Sequence, residues 1–265
     1  MSEINPYQPP ASAGAGAAPA AGNFIGDGRA VDAGRGWEWI ASGFELFKKQ
    51  PGAWILLVVV WLVCFIMISL VPGIGSVASM LLMQVILGGL MLGCRAVENG
   101  ETLEVGQLFA GFKQNTGNLA LLGVLALVAW IVVFLVVLIP ALLLMGGAGV
   151  MAMMGGQGAE SLGLAAMAIF LLLALLVVLG LSVPIYMALW FAPALVVFHD
   201  MAPVDALKAS FSACWKNLMP FLVYGVVLLA LCMVAAIPFL LGYLVLAPVI
   251  IASIYTGYRD IFFAG

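Results

Sequence analysis

Six apolar stretches of this chain hold no Asp, Glu, Lys or Arg, and all nine Lys and Arg fall in alternate connections between them. The stretches run at about 53–71, 74–94, 119–145, 162–198, 218–237 and 239–258. A helix of roughly 20 apolar residues crosses a hydrocarbon core of about 30 Å, and a backbone in lipid must satisfy its own hydrogen bonds. The expected fold is therefore all-α, a polytopic membrane protein with six transmembrane helices. Composition agrees: 65% of the 265 residues are hydrophobic and 8% are charged, where a soluble domain would have roughly a quarter charged.

The basic residues orient the chain. Arg29, Arg35, Lys48 and Lys49 precede the first stretch, Arg95 and Lys113 follow the second, Lys208 and Lys216 follow the fourth, and Arg259 follows the last. Pro72-Gly73, the 146–161 connection and Pro238 carry none. Lys and Arg are retained on the cytoplasmic side, which puts both termini there. The fourth stretch, 37 residues, is roughly 55 Å long as a helix. Splitting it in two would move Lys208, Lys216 and Arg259 outside, so one span kinked at Pro184, with Pro193 a second candidate, is expected. With the long third stretch it makes an apolar hairpin that tilts or rises beyond the outer face.

Residues 1–34 are read as a disordered cytoplasmic tail and 35–265 as the membrane domain. No apolar run suits a cleavable signal peptide in residues 1–36, which are rich in Ala, Gly and Pro. Within the tail, Asn5, Pro6, Tyr7, Gln8, Pro9 and Pro10 favour polyproline II. They serve either a groove-bearing cytoplasmic or membrane protein partner or mere solubility.

A threefold pattern precedes the odd-numbered spans. A small residue stands before Phe44, Phe112 and Phe211, and an amide follows each six positions later, at Gln50, Asn118 and Asn217. Each site reads as a short amphipathic helix in the interface. Trp37, Ile40, Phe44 and Phe47 share the first apolar face, Val105, Leu108 and Phe112 the second, and Val204, Leu207, Phe211, Trp215 and Leu218 the third. Three units, each an interfacial helix plus a transmembrane hairpin, are the expected pseudo-repeat. Trp37, Phe44, Phe112, Phe211, Trp215, Arg95 and Arg259 are the candidate contacts with lipid or a partner, and an anionic inner leaflet suits the basic collar.

Chemistry is sparse. Gln84 either lines a path or makes an interhelical hydrogen bond. His199-Asp200 reads as a proton-handling pair or as the end of a helix. Gly89-Leu-Met-Leu-Gly93 suits close helix contact, within the chain or between copies. The methionine-dense Met145–Met154 loop could ligate Cu(I), or simply fill an apolar turn. Cys64, Cys94, Cys214 and Cys232 have no ligand-like spacing and read as buried thiols. No cofactor, metal site, catalytic set or nucleic-acid surface is expected.

The stretch Trp190-Phe-Ala-Pro-Ala-Leu-Val-Val-Phe-His-Asp200, with Pro203, Ala206-Leu207, Ser210-Phe211 and Asn217, resembles a family of uncharacterised multipass inner-membrane proteins of proteobacteria. Arg35-Gly-Trp-Glu-Trp-Ile with Phe44 and Phe47 is similar to that family's start. The likeness covers roughly residues 35–260 and extends distantly to the membrane domain of some glycerophosphodiester phosphodiesterases. It implies an inner-membrane location and carries over no catalytic residue. The Asn-Pro-Tyr-x-Pro-Pro start is similar to a leader on otherwise unrelated bacterial membrane proteins. The leading expectation is a non-enzymatic lipid- or protein-interacting scaffold or assembly factor. A passive channel or transporter for an apolar or uncharged solute is the alternative, discriminated by a path past Gln84, Ser182 and Tyr186. An enzyme would need Arg95, His199, Asp200 and Arg259 gathered in a cleft.

Overall fold

A computed structural model describes residues 23–153 and 159–264. Among these described residues nine α-helices follow one another: α1 Arg35–Lys49, α2 Pro51–Ser69, α3 Ile74–Glu98, α4 Thr116–Met153, α5 Ala159–Trp190, α6 Ala192–His199, α7 Pro203–Lys216, α8 Leu218–Ala236 and α9 Tyr243–Phe262. A 3-10 helix, Val105–Phe112, lies between α3 and α4. Six helical segments among the described residues are long and apolar enough to cross a membrane, α5 and α6 together forming the fourth. The local signals are plain. Proline opens α2 and α7 at a position where a missing N–H costs nothing. Gly73, at φ 74°, turns the chain between α2 and α3. Glu104 and Gln107 form a capping box on the 3-10 helix.

In the first and third hairpins the second span lies inside and the first lies outside; in the middle one only the α6 end of the second span is buried. Half of the most apolar window of α3 and 61% of that of α9 are buried, against 17% for α2 and α8. Every residue of α6 from Ala192 to Val197 is buried. The core gathers at the basic end around Trp54, Leu90, Met91, Leu108, Phe191, Leu195, Tyr255, Tyr258 and Phe262. α4 has 38 residues and α8 has 19, or roughly 57 and 28 Å. The α4–α5 hairpin is thus far longer than its neighbours, and its walls are largely exposed.

α1, the 3-10 helix and α7 form a collar that docks in cyclic order. Each lies on the second span of the preceding hairpin, and α1, having none before it, lies on α9. The small residue before each phenylalanine makes the contact. Gly43 sits on α9 between the carbonyl of Val249 and the amide of Ser253. Gly111 sits on α3 between the carbonyl of Val85 and the amide of Gly89. Ser210 meets α5 at the same i, i+4 spacing: its hydroxyl donates to Met187 O at 2.7 Å and accepts from Phe191 N at 3.0 Å. A continuous helix would pair those two backbone groups with each other, so the serine is inserted into the ladder. That insertion breaks the fourth span.

Several expectations are corrected. The break in the fourth span falls at Phe191, just before Pro193, while Pro184 stays inside α5. Helix α4 runs on to Met153, so most of the expected Met145–Met154 loop is helical. Ala and Met carry the helix across its glycines at about 1 kcal/mol per Gly. Residues 23–34 belong to the folded collar rather than to a disordered tail, because their backbone pairs with α9 and Asn217. The proline-tyrosine motif of residues 5–10 lies outside the described residues.

Candidate functional site

The C-terminal ends of α3, α6 and α9 converge, and residues 23–34 cross them. Asp260, near the end of α9, has a side chain only 5% exposed and is the hub. It accepts from Arg29 Nη2 at 3.0 Å, Arg35 Nε at 2.7 Å and Trp39 Nε1 at 2.8 Å. Arg29 Nε also donates to the Asp260 carbonyl at 2.8 Å. The hydrogen bond to Asp260 raises the Arg35 pKa above its ordinary value, overcoming the desolvation that lowers it.

A second knot joins α3 to α9. Glu98 accepts from Tyr255 Oη at 2.6 Å and from Arg259 Nη1 at 2.5 Å. Arg95 stacks on Phe198 at 4.5 Å, a cation–π contact. His199 Nε2 meets Tyr258 Oη at 2.7 Å, and the Phe24 ring stacks on the imidazole at 3.6 Å. His199, Arg95 and Arg259 are thus gathered, but each is occupied by a protein partner. Asp200 faces away toward Asn115. No cluster of His, Cys, Asp or Glu suited to a metal occurs among the described residues.

Three amides close the collar. Gln50 grips the lead-in to the 3-10 helix: Nε2 donates to Glu101 O at 2.6 Å and Leu103 N donates to Oε1 at 2.8 Å. Asn115 grips the lead-in to α7, donating to Val196 O at 3.0 Å and Asp200 Oδ1 at 2.5 Å. Asn217 grips the lead-in to α1: Nδ2 donates to Arg29 O at 2.8 Å and Val31 N donates to Oδ1 at 2.8 Å. Each amide therefore holds the chain entering another collar element. Two of the three are amides expected from the sequence; after the 3-10 helix Asn115, not Asn118, reaches across, from a left-handed φ of 55° that asparagine tolerates well. Asn217→Ala leaves the part-buried amide of Val31 without its acceptor. A loss of roughly 1–3 kcal/mol is expected, read as a lower unfolding midpoint in detergent.

Four of the collar's aromatics face outward. Trp37 is 54% exposed, Phe44 43%, Phe112 43% and Trp215 61%, while Phe211 is half-buried and stacks on Trp215. The buried faces are instead built from Trp39, Ile40 and Gly43 on α1 and from Ala206, Ser210 and Ala213 on α7. Arg95 and Arg259, expected at the lipid surface, are half-buried, because Phe198 and Glu98 hold them inward. Gly89 and Gly93 serve packing within the chain, against Gln107, Leu108, Gly111 and Leu103. Gln84 is buried with its Oε1 unpartnered among the described residues. Asp260, Trp39, Glu98, Tyr255 and Phe24 were missed as site residues. Their only signal was a few polar groups at span ends, and the distances along the chain hid the pairing.

A multipass, all-α architecture with one basic, interlocked end defines an integral membrane protein. The chain is 35% identical over 206 residues to a probable inner membrane protein of Burkholderia thailandensis, covering 76% of this chain and 74% of the relative. It belongs to that family of inner-membrane proteins. No family model matches it, and no solved structure does. The likeness to the membrane domain of some glycerophosphodiester phosphodiesterases finds no support in these matches.

Proposed function

We propose that this protein is a non-enzymatic scaffold or assembly factor of the inner membrane, contacting lipid and other membrane proteins through its collar, with the basic end and both termini in the cytoplasm. One observation carries the reading: titratable side chains of the collar are tied to one another, while Trp37, Phe44, Phe112 and Trp215 are turned outward. Amphipathic aromatics at the level of the headgroups favour contact with the interface. Lys48 and Lys208 pair only within their own helices and remain exposed to an anionic leaflet.

The passive-channel reading draws less support. Gln84 is inside α3, the Ser182 hydroxyl donates within its own helix to Val178 O, and Tyr186 is 55% exposed against Trp130. An enzyme is likewise disfavoured, since Arg259 and His199 are engaged by Glu98, Tyr258 and Phe24.

In-membrane crosslinking tests the scaffold. Deleting residues 1–22 and replacing Phe44, Phe112 and Phe211 by alanine is expected to change the captured proteins and lipids. An unchanged capture profile from a folded variant overturns the reading.

A further inference from the structure

Resting on the lipid-contacting part of that reading, we propose that the groove between α8 and α9 beneath α1 binds one acyl chain of a diacyl phospholipid with an ammonium headgroup. The groove holds about 520 Å³, within the roughly 300–1,000 Å³ of small-ligand sites. Ile40 and Phe44 roof it, Leu231 and Val234 form one wall, and Val245 and Val249 form the other. It lies between two points where the spans are joined. At one, Tyr224 Oη meets Ser253 Oγ at 2.8 Å; at the other, Gly242 lies against Ala235 so closely that an added Cβ would stand 2.5 Å from its Cα.

The occupant follows from what surrounds the groove and what stands at its mouth. Leu229 and Met233 beside it are more than 60% exposed, so hydrocarbon laps its edges. Its walls lack the polar partners that a water molecule needs, and an empty slot forfeits dispersion contacts. At the α1 side, Glu45 borders the groove and pairs with Lys48 Nζ at 2.7 Å, and that ammonium lies 5.4 Å above the Phe44 ring. A carboxylate and an ammonium side by side complement a headgroup carrying both a phosphate and an ammonium.

The arrangement recurs. A groove of about 230 Å³ between α4 and α5 is roofed by Leu207 of α7. Leu207 stands three residues before Ser210, as Ile40 stands three before Gly43. An acid–lysine pair, Asp205 with Lys208 at 3.9 Å, lies on the same helix as Leu207.

The test uses the full chain in vesicles of mixed phosphatidylethanolamine and phosphatidylglycerol, doped with either lipid bearing a photoactivatable acyl chain. Labelling is expected on the α1, α8 and α9 peptides that line the groove, more strongly from the ethanolamine probe. Ala41→Phe, which fills the groove, should lower it about tenfold, and Leu231→Trp does the same from the other wall should the first variant misfold. Replacing Glu45 and Lys48 by glutamine should abolish the headgroup preference and keep the acyl labelling. Labelling spread evenly over all six spans, or crosslinks joining groove peptides of two copies, overturns the lipid site. Partner capture that persists in Ala41→Phe leaves the scaffold reading standing by itself.

Discussion

Replacing Gly111 by leucine is expected to remove the folded protein, or to destabilise it by at least about 3 kcal/mol, the upper end of ordinary overpacking. A Cβ at this position would overlap the carbonyl of Val85 and approach the backbone of Gly89. Neither is the yielding end of a side chain, so the 3-10 helix would have to leave α3. Gly43→Leu should behave alike, since its Cβ would stand 2.7 Å from Ser253 N and 2.9 Å from Val249 O. Gly106 is the control within the same 3-10 helix, having nothing within 4 Å, and Gly106→Ala should leave the unfolding midpoint close to wild type. Size-exclusion profiles and thermal midpoints in detergent decide it. A monodisperse Gly111→Leu protein with an unshifted midpoint would remove the docking argument.

Asp260→Ala should produce the second large effect. The substitution leaves Arg29, Arg35 and the buried indole N–H of Trp39 without their shared acceptor. Removing one partner of a buried ionic network typically costs 3–5 kcal/mol; the two guanidiniums, about 40% exposed, can regain water, so about 3 kcal/mol is expected. Asp260→Asn keeps an acceptor for Trp39 and loses the charge, and should fall between wild type and alanine. Chemical-denaturant midpoints order the three proteins. If asparagine matches the wild type, the charge contributes nothing and the hub is only a hydrogen-bond acceptor.

Much of this was legible in the chain. Spans free of Asp, Glu, Lys and Arg require helices in lipid, and the Lys and Arg lie on or beside the collar elements, except Arg95 and Arg259 in the last turns of α3 and α9. The small-residue–phenylalanine pairs marked the docking points, though their reason was invisible: Gly43 and Gly111 matter for the backbone they admit, and the phenylalanines after them face out. Hydropathy placed the sixth span at 239–258, whereas α9 covers Tyr243–Phe262. Its last turn buries Asp260 under arginines that lie more than two hundred residues away, a pairing that no local pattern encodes. Pro184 misled because a proline in a lipid-exposed helix can be accommodated, while the true break required Ser210, a partner on another helix. The tail boundary misled for a similar reason. Residues 23–34 have the composition of a linker, but their order comes from Asn217, Phe262 and His199, all at the other end of the chain.

The central claim is that the collar is a closed ring whose last contact is made by residues 23–34. Amide hydrogen exchange in lipid nanodiscs tests it most directly. Ile25 N donates to Phe262 O at 2.8 Å, Arg29 N to Ile261 O at 2.9 Å, and Val31 N to the side chain of Asn217 at 2.8 Å. These amides should exchange as slowly as those of α1 in the wild type and lose protection in Asn217→Ala and Asp260→Ala, because opening must break the collar. Exchange at the rate of a free peptide in the wild type would contradict the ring and return residues 23–34 to the tail.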